Sequence, residues 1–187
     1  MQLKKEIRII AWDDCAFNRE DKTVTLIGAI FRGSRFMDGM LSTMIQKDGT
    51  DATDRIVSAI KKSRHMDQLS IIMLDGITFG GFNIVDIKEL YEKTGLPVVA
   101  VQRRRPDMDS FLAALKVFGD AEERKTIVRR AGELYKFKKI YYQRAGLPEE
   151  ECGKILEMTC IRSDIPEPLR VAHLIASGLS GESRGRA

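Results

Sequence analysis

The first quarter of the chain places short apolar runs between polar breaks, a pattern typical of β-strands. Residues 7–12 form a buried-strand run that ends at two aspartates, and residues 23–32 are apolar and β-branched. Residues 35–46 form a third extended segment, interrupted by Asp38-Gly39, which predicts a bulge or a bend. Because the links between these segments are short, we expect an antiparallel meander of three strands.

Beyond residue 50 the apolar positions take a helical period and alternate with short apolar runs. Strands that alternate with helices predict parallel pairing through right-handed crossovers. The sequence therefore predicts an α/β fold with a mixed sheet and helices on both faces. We expect one domain over residues 1–187, because no linker or repeat divides the chain. Helices are predicted at 51–65, 83–94, 111–118, 121–132, 152–160 and 166–179, and strands at 69–74, 97–101 and 138–143.

Composition excludes several classes of protein. The chain has 187 residues and a net charge of +4. Its three cysteines are too few for a disulfide framework, and its two histidines are too few for a histidine-rich zinc site. No apolar run approaches the length of about 20 residues that spans a bilayer, so we expect a cytoplasmic protein without a membrane partner. Residues 101–144 hold 12 Lys+Arg and 6 Asp+Glu, which predicts a local basic face.

Two aspartates follow strands that are predicted to be neighbours. Asp13 ends the first strand and Asp75 ends the fourth. If the first strand lies between the meander and the βαβ units, neighbouring strands about 4.8 Å apart would bring both carboxylates within reach of one hard cation. Each aspartate also suits an ordinary turn, since Asp-Asp and Asp-Gly are common turn pairs.

Arginines are expected at the same edge of the sheet. The fifth strand is followed by Arg103, Arg104 and Arg105, and the carboxyl ends of parallel strands meet at one edge. Carboxylates that hold a divalent cation beside phosphate-binding arginines are the ingredients of metal-assisted phosphoryl chemistry. The alternative for the arginines is a solvated charge run.

A third acid is predicted at the start of the first helix, where Asp51 is our choice over Asp48 and Asp54. Asp51 equally suits a helix cap. His173 shares a helical stripe with small apolar residues, which favours a core or interface position. Gly80-Gly81 resembles a phosphate loop only loosely, because no P-loop lysine follows it.

Several segments resemble a largely archaeal family known as domain of unknown function 99, which is grouped with endonuclease V. The resemblance is carried by residues 9–14 (IIAWDD), 73–76 (MLDG), 95–101 (GLPVVAV), 166–173 (PEPLRVAH) and 181–186 (GESRGR). It implies a ribonuclease H-like fold in which acids on the first and fourth strands hold Mg²⁺ or Mn²⁺ for phosphodiester cleavage. Asp13 and Asp75 match those acids.

The chain departs from the endonuclease V pattern at two functional residues. That enzyme has a glutamate on the helix before the fourth strand, where this chain offers only aspartates such as Asp51. Its histidine, a few residues after the fourth-strand aspartate, has no counterpart between Gly76 and Gly81. We therefore predict a Mg²⁺-dependent nuclease acting on DNA or RNA, with a non-catalytic nucleic-acid-binding module on the same fold as the alternative.

Overall fold

The computed structural model describes residues 6–181. Seven strands form a mixed sheet in the order β3-β2-β1-β4-β7-β9-β8, and β5 and β6 form a separate two-stranded hairpin. The strands are β1 (Arg8–Asp14), β2 (Thr23–Arg32), β3 (Phe36–Gln46), β4 (Ile71–Asp75), β5 (Thr78–Phe79), β6 (Asn83–Ile84), β7 (Val98–Gln102), β8 (Tyr135–Phe137) and β9 (Ile140–Ala145). The helices are α1 (Ala52–Lys61), α2 (Ile87–Thr94), α3 (Met108–Ala114), α4 (Ala121–Arg130), α5 (Glu149–Thr159) and α6 (Glu167–Leu179).

The predicted arrangement of the first five long strands is confirmed. Strands β1, β2 and β3 form an antiparallel meander, and β1 pairs in parallel with β4, which pairs in parallel with β7. The first strand thus lies between the meander and the βαβ units. Asp38 is the extra residue of a bulge, because Ile30 faces Gly39 whereas Phe31 faces Met37.

Several predicted boundaries differ from the structure. The helix expected to start at residue 83 starts at Ile87, because residues 83–84 pair with β5 and Asp86 caps the helix through the amides of Lys88 and Glu89. The first helix ends at Lys61, before a short 3-10 turn at Met66–Gln68. The strand expected at 138–143 is β9, which pairs antiparallel to β7 and with β8 extends that side of the sheet.

Strand pleating divides the core into two layers, one on each face of the sheet. In β1 the even residues Ile10 and Trp12 pack with α1 and α2, together with side chains of α4. The odd residues Ile9 and Ala11 pack with the buried residues of α5 and α6. All four of these β1 residues are completely buried, so the sheet is covered on both faces, as parallel strands require.

Within residues 6–181, no helix combines the length and apolar character needed to cross a membrane. The polar ending at residues 180–187 predicts a frayed tail, and residues 182–187 lie outside the described residues.

Candidate metal centre

The carboxyl ends of β1 and β4 bring the two predicted aspartates together. Trp12 of β1 pairs with Leu74 of β4 in parallel register, so Asp13 and Asp75 occupy the next position on each strand. The pleat directs both side chains to the face covered by α6. Asp13 is almost fully buried and Asp75 is half-buried. The strand-end geometry expected from the sequence is therefore present.

His173 of helix α6 completes this acidic pair. Its Nδ1 lies 2.7 Å from Asp13 Oδ2, and its Nε2 lies 3.5 Å from the Ser177 hydroxyl one turn later. The ligand atoms of Asp13, Asp75 and His173 all lie within 4.8 Å of one another. The sequence predicted a core or interface position for His173, whereas the structure places this residue beside the acids. The reason is that α6 packs across β1 and β2 with its apolar stripe inward.

The Asp75-Gly76 turn fixes the fourth-strand carboxylate against the arginine run. Gly76 has φ +82°, which favours glycine, and its amide donates to the Val101 carbonyl oxygen at 2.7 Å. This link holds the end of β4 beside the end of β7. As a result Arg103 reaches Asp75, with Nη2 3.2 Å from Oδ2.

Two acids and two basic side chains, Arg103 and His173, determine the electrostatics of the group. Burial raises the pKa of the Asp75 carboxyl above its ordinary value, and the charge of Asp13 raises it further, while Arg103 and His173 act in the opposite direction. The hydrogen bond to Asp13 raises the pKa of His173, against the effect of partial burial. The contact with Asp13 therefore favours the protonated form of the imidazole over the neutral form.

Asp14, the last residue of β1, points to the other face of the sheet. Its Oδ2 accepts a hydrogen bond from the Gly80 amide at 2.6 Å. Burial raises the pKa of Asp14 to about 6, and the charges of Asp13 and Asp75 add to this, whereas the Gly80 amide lowers it. Gly80-Gly81 thus belongs to the β5–β6 hairpin turn, and the Gly80 amide holds Asp14, the residue next to the site.

Asp51 lies at the N-cap position of α1 and outside the group of three ligand residues. One of its oxygens accepts from the Gln46 amide at 3.0 Å and from Asn83 Nδ2 at 2.8 Å. The other accepts from Arg55 Nε at 3.1 Å. These partners tie the carboxylate to the β3–α1 connection and lower its pKa.

The three arginines after β7 are placed differently. Arg103 is half-buried in its ion pair with Asp75, whereas Arg104 and Arg105 are exposed. Arg103 and Arg104 line the mouth of a cavity of about 750 Å³ that also borders Asp75. The expected meeting of carboxylates and arginines at one sheet edge is therefore observed for Asp75 and Arg103.

The donor set fits a divalent cation. Two carboxylates supply hard oxygen ligands, and an imidazole supplies nitrogen, a combination that Mn²⁺ and Mg²⁺ with bound waters can use. Within residues 6–181, this is the one cluster of at least three histidine, cysteine or acidic side chains with such close ligand atoms. The sequence did not predict the role of His173, because this residue lies 160 residues from Asp13. Ser177, a polar residue one turn later on α6, is the local signal that could have marked this edge of the helix as polar.

The strand order and the paired strand-end acids define a protein with a ribonuclease H-like fold. A family model described as endonuclease dU matches residues 5–180, and the chain belongs to that family. A UPF0215 protein of Methanosarcina barkeri is 53% identical over 190 residues, which cover 99% of this chain and 97% of the relative. A UPF0215 protein of Methanopyrus kandleri is 43% identical over 193 residues, which cover 100% of this chain and 98% of the relative.

Solved structures show the same fold. A protein of unknown function from Archaeoglobus fulgidus superposes with a TM-score of 0.87 at 40% identity, covering 92% of this chain and 97% of that chain. Endonuclease V of Ciona intestinalis, in complex with a DNA containing an inosine, gives a TM-score of 0.59 at 14% identity, covering 90% and 83%. Argonaute of Marinitoga piezophila gives 0.53 at 11% identity, covering 92% of this chain and 30% of that chain. The last two show a shared fold.

Proposed function

We propose that this protein is a metal-dependent endonuclease that hydrolyses phosphodiester bonds in DNA or RNA. The observation that carries the proposal is the meeting of Asp13, Asp75 and His173, with ligand atoms within 4.8 Å of one another, at the carboxyl edge of the sheet. The name of its family, endonuclease dU, and the endonuclease V fold support a nuclease that acts on deoxyuridine-containing or otherwise deaminated strands.

Asp13 and Asp75 are the residues that would hold Mg²⁺ or Mn²⁺, and His173 is the third member of the set. When bound, the cation supplies charge neutralisation at the scissile phosphate and an activated water. His173 changes role with its proton: protonated, it pairs with Asp13, and neutral, it offers a nitrogen ligand. Cation binding is therefore expected to favour the neutral form of His173.

The arginines after β7 are proposed to bind the phosphates of the substrate. Arg103 keeps Asp75 oriented through their ion pair, and its guanidinium has the geometry for a phosphate oxygen at the same edge. Arg104 and Arg105 are exposed and extend the positive charge along the path of a bound strand. Their contribution is electrostatic, so it weakens as salt increases.

Cleavage assays with labelled oligonucleotides test the proposal. We expect wild-type protein with Mn²⁺ or Mg²⁺ to cut single- or double-stranded substrates that contain deoxyuridine or inosine, and chelation to stop it. Asp13→Asn and Asp75→Asn are expected to lower the rate by at least a hundredfold, an effect typical of lost electrostatic stabilisation. Asp67→Asn, on an exposed 3-10 turn, is the matched control.

A metal-binding readout accompanies the cleavage assay. Mn²⁺ should raise the melting temperature of the wild type and of Asp67→Asn, but not of Asp13→Asn or Asp75→Asn. Salt-sensitive binding without cleavage, unaffected by metal, would refute the endonuclease proposal and support the non-catalytic module.

The role of Asp51 as a third acid stays a prediction and has its own test. Its carboxylate accepts three hydrogen bonds, so Asp51→Asn should lower the free energy of unfolding. If Asp51→Asn keeps its fold and the Mn²⁺-induced shift but loses cleavage, Asp51 is the third acid. If cleavage persists there and is lost in His173→Ala, the histidine takes that place.

A further inference from the structure

Strand β3 is one of the two outer strands of the seven-stranded sheet. It has 11 residues without Lys, Arg or Pro, and its one charged residue, Asp38, pairs with Arg8 and Arg32 of the same chain. The other outer strand, β8, has 3 residues and carries the exposed Lys136. Short strands and lysines commonly protect a sheet edge from pairing with another chain. The edge at β3 has neither protection.

The backbone of β3 presents its even-numbered residues to the open side. The Lys47 amide donates to the Lys22 carbonyl oxygen at 2.9 Å. Odd-numbered residues of this part of β3 therefore bond to β2, and even-numbered residues face outward. The outward groups of Gln46 are already bonded, because its amide donates to Asp51 and its carbonyl oxygen accepts from Asn83.

The outward groups of Met40, Ser42 and Met44 are left for a further strand. In the described part of the chain, no hydrogen bond from outside the β2–β3 pair reaches the backbone of these three residues. Their side chains lie on the face that α6 covers, but α6 packs on β1 and β2. Met40 and Met44 are consequently 49% and 55% exposed. An open backbone edge thus coincides with two exposed apolar side chains.

We propose that two copies of this chain associate through β3, paired antiparallel about a twofold axis at Ser42. The two methionines lie two residues before and after Ser42, so Met40 of each copy would face Met44 of the other. The open stretch is bounded by the bulge at Asp38 and by the bonded Gln46, each four residues from Ser42. Both copies would therefore pair over the same stretch, with about six backbone hydrogen bonds.

The charges and caps of β3 select this register over its neighbours. An axis at Leu41 would place Met44 opposite the carboxylate of the partner's Asp38. An axis one residue after Ser42 would place Met40 opposite the partner's Gln46, whose backbone groups are bonded. With the axis at Ser42, the Asp38 carboxylate instead faces a carboxamide, and like charges do not oppose each other. The strand is thus self-complementary, as a twofold interface requires.

This association would place both candidate metal centres on one face of a continuous sheet. Asp13 pairs with Ile27, and Ile27 pairs with Ser42, so these three residues form one row across β1, β2 and β3. A twofold axis normal to the sheet continues the row into the partner and keeps α6 on the same face. Five strand spacings of about 4.8 Å would separate the two Asp13 residues by about 24 Å along the sheet.

Sedimentation of the full chain tests the association. We expect the wild type at micromolar concentration to have twice the monomer mass of 21.1 kDa. Met40→Lys/Met44→Lys should sediment as a monomer, because each lysine would face a lysine of the partner. Val117→Lys/Ile161→Lys, which changes two exposed apolar residues outside β3, should remain a dimer.

A charge-reversed variant separates pairing from misfolding. Met40→Glu/Met44→Glu should also be a monomer by itself, for the same reason. An equal mixture of the lysine and glutamate variants should form dimers again, since each pair of facing residues then has opposite charges. Circular dichroism verifies that both variants are folded. Restored association in the mixture requires that Met40 and Met44 face each other across the interface.

A disulfide tests the position of the axis. Residues in a hydrogen-bonded antiparallel pair have Cα atoms about 5.5 Å apart, which is within the range of a disulfide. Ser42→Cys should therefore form a covalent dimer on mild oxidation. Thr43→Cys is the control and should not, because it would face the partner's Leu41 on the opposite side of the sheet. The wild type measures any cross-linking by the three native cysteines.

The outcomes are independent of cleavage. A monomeric wild type, a dimer that persists in Met40→Lys/Met44→Lys, or a Ser42→Cys variant that does not cross-link would overturn the β3 interface. Metal-dependent cleavage by a monomeric wild type would uphold the nuclease and overturn the interface. A dimer that shows all the expected variant effects and never cleaves would uphold the interface and overturn the nuclease.

Discussion

Replacing Asp14 by asparagine should make the metal-free protein more stable at alkaline pH. Asp14 sits at the end of β1, where burial raises the pKa of its carboxyl from the ordinary 3.8 to about 6. Above that pH the folded protein must hold a partly buried carboxylate near Asp13 and Asp75. Asparagine removes the charge and keeps an oxygen that can accept from the Gly80 amide.

The size and pH dependence follow from linkage. The difference between the folded and unfolded pKa values corresponds to about 3 kcal/mol. Because the folded pKa is raised, the protonated group favours the folded wild type fully below about pH 4, and this contribution is lost as the pH rises through about 6. Asp14→Asn should therefore raise the free energy of unfolding by about 2–3 kcal/mol at pH 8 and leave it nearly unchanged at pH 4.

Urea unfolding at pH 4, 6 and 8, with a chelator present, measures this difference. The chelator is needed because a bound cation would offset the repulsion among the acids. Asp67→Asn serves as the control, since it removes one exposed charge from a 3-10 turn. A gain at pH 8 that persists unchanged at pH 4, or no gain at all, would refute the assignment of a raised pKa to Asp14.

Three further predictions concern the core and its buried polar groups. A Cβ at Gly28 would lie 2.9 Å from the ring of the fully buried Trp12. Gly28→Ala should therefore lower the free energy of unfolding in urea by about 1–3 kcal/mol, and an unchanged value would contradict such tight packing. Arg124 donates hydrogen bonds to the carbonyl oxygens of Asp48, Gly49 and Phe82. Arg124→Met should therefore lower the free energy of unfolding by about 3 kcal/mol or more. A loss below about 1 kcal/mol would contradict a stabilising role for these hydrogen bonds. Burial raises the pKa of Tyr142 to about 12, so phenolate absorbance should show one late-titrating tyrosine that Tyr142→Phe removes; ionisation near 10 would contradict this.

The order of the long strands was predictable because it follows from local features. Short links dictate the antiparallel meander, and intervening helices dictate the parallel crossovers. Once β1 is placed between those two halves, the adjacency of Asp13 and Asp75 follows from strand register alone. Those two residues lie at neighbouring strand ends in the structure, as predicted, although their role in binding metal remains to be tested.

His173 was not predictable in the same way, because nothing local links α6 to β1. The small residues Ala172 and Ala176 show which side of the helix packs, yet they do not say which edge of the sheet it crosses. For Asp51, the local position was predictable but the hydrogen-bond partners were not. Its position at a helix start was correctly inferred, but two of its three hydrogen bonds come from Gln46 and Asn83, 5 and 32 residues away.

The alternation of side chains along the strands also places the candidate metal centre and the neighbouring cavity on opposite faces of one sheet. Asp13 and Asp75 follow the odd-numbered core positions of β1 and β4, on the face that α6 covers. Gln102 and Gln143 share the face packed by α3 and α4, and the two faces meet where the Asp75-Gly76 turn borders the cavity. The acids and the cavity are therefore neighbours at this turn, although they lie on opposite faces of the sheet. Because different helices pack on the two faces, Asp13→Asn and Gln143→Met should have nearly additive effects on the free energy of unfolding in the double variant, and a large coupling between them in urea unfolding would contradict this separation.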